Sequence, residues 1–120
     1  MINLKPTVLA ALKNDPALSK LIAGRVIFMA LSDEPVFPSI TYREEDNSPA
    51  LVGDDRELAS QSVMVIDVWS QGSTTAIAQA VDAVMSGLRF KREFATDLYE
   101  TDTGVYHKHM RYRHKTIRRN

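Results

Sequence analysis

The sequence contains no cysteine. Disulfides, thiolate catalysis and cysteine-ligated zinc are therefore excluded. It also lacks a long apolar run. Its first twenty residues, MINLKPTVLAALKNDPALSK, are interrupted by Asp15 and Pro16, so they read as neither a secretory signal nor a membrane span. A cytoplasmic protein with no membrane contact is the expectation. No internal repeat or low-complexity stretch occurs. The chain also lacks net charge, with fifteen basic and fifteen acidic residues. A free nucleic-acid binder is usually clearly basic.

What remains is an ordinary globular composition, 44% hydrophobic and 25% charged over 120 residues. That length suits one domain, 1–120, with a core of its own. The charge is unevenly spread. Residues 1–60 carry six basic and nine acidic side chains, whereas residues 91–120 carry eight basic and four acidic. Such asymmetry suits a chain that meets copies of itself or another polyelectrolyte, although a solvated surface explains it equally well.

Pro6 fits the first turn of a helix, and Val8, Leu9 and Leu12 follow at helical spacing. Pro16 then breaks or restarts it, with Leu18, Leu21 and Ile22 as a second apolar face and Gly24 as the stop. One kinked helix or two short ones are expected over 5–23. Strands are expected at 25–31 and 39–45, joined by a link stiffened by Pro35 and Pro38. The stretch 44–57 holds six acids, Glu44, Glu45, Asp46, Asp54, Asp55 and Glu57. It reads as a loop or a protruding hairpin tip. The clearest strand is 60–70: Met64, Ile66 and Val68 form a fully apolar face, and Val63, Val65, Asp67 and Trp69 the other. A strand apolar on both faces points to a second layer or a subunit contact. The clearest helix is 72–90, capped by Ser73, Thr74 or Thr75 and ending near Gly87. Strands at 93–102 and 105–117, around a turn at 101–104, close the chain. The fold class is α+β: an antiparallel sheet of about five strands with two helices mainly on one face, in the order α-β-β-β-α-β-β.

Chemistry concentrates at the C-terminus, where VYHKHMRYRHKTIRRN holds all three histidines and six of the fifteen basic residues. His107 and His109 point the same way on a strand. Two imidazoles can chelate a metal, but a site needs a further ligand from a neighbouring strand, and without one they read as surface residues. No metal or cofactor is therefore assigned. Asp67 is the odd carboxylate in an apolar strand, and an enzyme built on Asp67 with His107 or His109 is one competing reading. No nucleophile elbow or phosphate loop accompanies it. Arg111, Arg113 and Lys115 share a strand face, and Arg118 and Arg119 continue beyond it. That face could follow phosphates, which makes a small nucleic-acid-binding regulator the alternative function. Tyr106, Met110 and Tyr112 lie on the opposite face, where they would pack rather than stack on bases. An acidic loop of another subunit would account for the same basic residues.

The pieces LIAGRVIF, PVFPSITY, VMVIDVWS, STTAIAQAVDAVMSGL and YRHKTI occur in one order along most of the chain. In that order the sequence resembles the tail-completion, or tail-terminator, proteins of long-tailed bacteriophages and prophages. The resemblance implies a structural virion protein with no catalytic centre. It implies a ring, usually a hexamer in the family, that caps the tail tube, joins it to the head connector and lets DNA pass without specific binding. The implied partners are other copies of the chain, the tail-tube protein and the connector. The implied location is the head–tail junction of the virion, after assembly in the host cytoplasm. In that setting the acids of 44–57 would line the lumen or an interface and repel phosphates. Arg111, Arg113, Lys115, Arg118 and Arg119 would meet a neighbouring subunit or partner.

Overall fold

The structure is a computed structural model that describes residues 1–53 and 56–117. Asp54, Asp55, Arg118 and Arg119, which figure in the sequence expectations, lie outside the described residues.

The N-terminal region is two helices, α1 (Lys5–Asn14) and α2 (Pro16–Ile22), so Pro16 restarts the helix instead of kinking it. Asp15 is extended, as a residue before proline prefers, and its Oδ2 accepts the Leu18 N–H at 3.0 Å. The helices bury Val8, Leu12, Leu18 and Ile22.

Five strands form one sheet: β1 (Val26–Phe28), β2 (Ser39–Gly53), β3 (Arg56–Ser70), β4 (Lys91–Glu100) and β5 (Val105–Ile117). Their spatial order is β1-β2-β3-β5-β4. The sheet is mixed. Four strands pair antiparallel, whereas β1 joins β2 in parallel because the link 29–38 carries the chain back to the end where β1 started. The acidic stretch is the protruding hairpin rather than a loop: pairing runs from Ser39↔Trp69 out to Gly53↔Arg56. Fifteen extended residues reach about 50 Å, which accounts for the 52 Å long axis of the molecule.

The third helix, α3 (Thr75–Gly87), follows β3. Ser73 Oγ accepts the Thr75 N–H at 3.2 Å, while Thr74 makes no side-chain cap. Ile40, Tyr42, Met64, Ile66, Val68, Met110 and Tyr112 form one face of the sheet, and the three helices cover it with Val8, Leu12, Ile22, Ile77, Val81 and Met85. Each such buried aliphatic side chain contributes about 1.5–3 kcal/mol. The core therefore lies on one side, and no described element packs as a layer on the opposite face. Among the described residues, no helix is long and apolar enough to cross a membrane.

Candidate functional site

The uncovered face of the sheet carries the polar side chains that the sequence singled out. Its centre is built in rows across the strands. Thr41, Asp67, His109 and Thr96 form one register row, and Ser39, Trp69, His107 and Leu98 the next. Arg43, Val65, Arg111 and Phe94 form the row on the other side. Val65 is fully buried although no helix lies over it. It is flanked by two arginines, whose alkyl stems can cover apolar surface while their heads stay in water.

The carboxylate that the histidines needed is Asp67. Its Oδ1 lies 2.6 Å from His107 Nε2 and 2.7 Å from His109 Nδ1. All three side chains are mostly shielded, with 13% of Asp67, 13% of His107 and 25% of His109 exposed. With the carboxylate ionised, each contact is an imidazole N–H donating to the same oxygen. Trp69 stacks on His107 and donates its indole N–H to Thr41 Oγ1 at 2.9 Å. Phe94 meets the His109 ring edge-on.

Beyond this cluster the face is charged. Arg113 is paired with Glu93, with Nη2 donating to Oε2 at 3.2 Å and Nε closer still. Arg111 lies 3.5 Å from Glu93 and 3.9 Å from Glu45, and its guanidinium sits over the Phe94 ring. The hydrogen bond from Arg113 holds the Glu93 carboxyl below its ordinary range, with Arg111 adding to it. The same bond raises the Arg113 guanidinium in turn. Glu45 and Glu93 both sit where the ladder skips a residue, between Glu44 and Asp46 and between Arg92 and Phe94. Bulges re-aim side chains in this way. Glu93 was not among the sequence candidates, and no local signal marks a bulge there.

The remaining acids are dispersed. Glu44 Oε2 accepts from Ser62 Oγ at 3.0 Å and Asn47 Nδ2 at 3.1 Å. Asn47 also donates to the Ile2 carbonyl, and the amino group of Met1 pairs with Glu57 at 2.9 Å. Glu44 and Glu57 thus help tie down the N-terminal segment. Asp46 accepts from Ser48 Oγ at 2.9 Å. Lys115 is exposed opposite Gln61. The acid and base that the sequence separated into two patches are therefore partly joined within one chain, at Glu45 and Arg111.

The two outer strands offer different surfaces. Along β4, Phe94, Leu98 and Tyr99 are exposed; in β1 and the link that follows it, Phe28, Met29 and Val36 are.

Residues 6–116 match the family described as "Tail completion protein gp17". The chain belongs to that tail-completion family. This makes it a structural protein of the bacteriophage tail. Among solved structures, it is similar to a chain in the virion of a native gene transfer agent particle. The two share 18% identity with a TM-score of 0.63, covering 92% of each chain. It is also similar to the gp17 protein of bacteriophage SPP1, at 19% identity and a TM-score of 0.54, covering 98% of this chain and 90% of that one. At such identities the likeness speaks for the fold. A comparison with curated proteins finds no match.

Proposed function

We propose that this tail-completion protein works as one domain, residues 1–120, in a closed ring, with six subunits as the working stoichiometry. The ring caps the tail tube, meets the head connector and passes DNA through its lumen. The observation that carries the reading is the family match over 6–116, joined to two unlike exposed edges on one chain. A head-to-tail ring needs two different complementary surfaces on each subunit. β4, with Phe94, Leu98 and Tyr99 exposed, and β1, with Phe28 and the adjoining Met29 exposed, lie at opposite ends of the strand order.

The charged residues take secondary places in this reading. The acids of 44–57, Glu44, Glu45, Asp46, Asp54, Asp55 and Glu57, give the lumen or an interface a negative character that keeps DNA moving. Arg111, Arg113, Lys115, Arg118 and Arg119 face a neighbouring subunit, the tube or the connector. Because Arg111 and Arg113 already have acidic partners, they steer such a contact more than they supply its affinity. The same pairing lowers the free positive charge that a nucleic-acid regulator would use.

The test is solution mass by light scattering, alone and with added tail-tube protein, at low and moderate salt. A hexamer, alone or only with the tube, supports the ring. A monomer under every condition, together with tight and salt-sensitive DNA binding, overturns it.

A further inference from the structure

We infer that Asp67, His107 and His109 form a binding site for a divalent first-row transition ion, with zinc as the ion the donor set suits best. The three side chains come from two adjacent strands and share one face. Each offers one donor atom, and the three atoms all lie within 4.8 Å of one another. Two imidazole nitrogens and one carboxylate oxygen are ligands that zinc accepts, in an arrangement that leaves a fourth position for water.

The spacing is nearly right for an ion. Zinc bonds of about 2.0–2.2 Å at tetrahedral angles put neighbouring ligand atoms about 3.3 Å apart. The Asp67 oxygen now stands 2.6 and 2.7 Å from the two nitrogens, a hydrogen-bond spacing. A retreat of this oxygen by about 1 Å, within reach of side-chain rotation, opens the gap. The ion then occupies the place of the protons that hold the cluster together. Neither imidazole has to leave its strand.

The surroundings hold the ligands in place. His107 is clamped by the Trp69 ring, with centroids 3.7 Å apart, and Trp69 is itself fixed by Thr41. Strand-borne ligands held by such supporting contacts lose little freedom on binding. The partial exposure of all three residues gives the ion a route in and room for water. His114 is not part of the site: it packs against Phe90 on the helix-covered side.

The inference does not depend on ring formation, and its test uses the isolated full chain without a histidine tag. After chelator treatment, the protein is titrated with zinc chloride by calorimetry and with cobalt chloride by visible absorption. One ion per chain is expected, with the absorption of four-coordinate cobalt and a rise in Tm with zinc. His107→Gln, His109→Gln and Asp67→Asn should each weaken binding on the order of 10-fold or more, whereas His114→Gln should not change it. Absence of saturable binding by the wild-type chain would mean that the cluster is a closed hydrogen-bonded unit, and would overturn the site. So would binding that survives in His107→Gln and His109→Gln but disappears in His114→Gln. Should Asp67→Asn fail to fold, the wild-type titration and the two histidine variants decide the matter.

Discussion

Trp69 lies flat on His107, with ring centroids 3.7 Å apart and planes 14° from parallel, while its indole N–H donates to Thr41 Oγ1. The contact links β2, β3 and β5 on a face that no helix covers. Replacing Trp69 with Leu removes the stack and the hydrogen bond together. A loss of about 1–3 kcal/mol is expected from an aromatic pair and one hydrogen bond. Trp69→Phe keeps a ring and should lose less. Because Trp69 is the single tryptophan, urea unfolding should be followed by far-UV circular dichroism. A Trp69→Leu variant as stable as wild type would show that the stack is incidental.

Tyr112 is buried beneath α3 and donates its hydroxyl to Asp82 Oδ1 at 2.9 Å, while Arg92 pairs with the other oxygen of Asp82 at 3.2 Å. One carboxylate thereby ties α3 to β5 and β4. Burial, reinforced by Asp82, pushes the Tyr112 phenol well above its ordinary value of 10.0. A group whose folded value is raised stabilises the fold below its unfolded value, and that contribution is lost as pH climbs toward the folded one. Tyr112→Phe should therefore cost about 1 kcal/mol at neutral pH and flatten the fall in stability above about pH 10. Denaturant midpoints at pH 7 and pH 10.5 check both. Equal alkaline sensitivity in the two proteins would assign it to another group.

The sequence made the regular elements legible where period and punctuation agreed. The last strand occupies 105–117 as expected, the turn before it lies at 101–104, and the helix after β3 stops at Gly87. In each case local preference and burial pull the same way. Less legible was whatever depends on two distant segments. The apolar content of 25–31 suggests a strand but says nothing of its direction, and only the path of 29–38 makes β1 parallel. The extent of the acidic hairpin was hidden because pairing with β3 overrides the loop-like composition of 44–53. On the site, strand parity alone put His107, His109 and Arg111 on one face. Placing Asp67 beside both histidines required the register between β3 and β5, which no local pattern fixes.

His114 sits against Phe90, with its Nδ1 2.9 Å from Thr116 Oγ1. Desolvation, aided by the nearby positive charge of Arg89, lowers its pKa below the ordinary imidazole value of 6.5. The unfolded chain therefore takes up a proton at His114 before the folded one does. Stability should be fully present above pH 6.5 and decline as pH falls through the interval down to the folded value. His114→Gln should remove that part of the decline. Thermal unfolding at pH 7 and pH 5.5 provides the comparison. An unchanged pH slope in the variant would place the effect elsewhere.

Glu93 provides the sharpest way to ask what the arginines do. If Arg111 and Arg113 serve chiefly to hold β4 against β5, the damage from Arg111→Glu with Arg113→Glu comes from repulsion around Glu93 and Glu45. All three pairs are exposed enough that solvent screens them, so the double variant should fold and its Tm should drop only slightly. Under the ring proposal its assembly should fail nevertheless, as measured by particle yield and by mass with the tail tube. Adding Glu93→Arg restores attraction across the two strands without restoring the original surface. A triple variant that regains Tm but still yields no particles would locate the function of the arginines at a partner. Recovery of particles along with Tm would show that their role is internal to the sheet, and the basic face would drop out of the assembly surface.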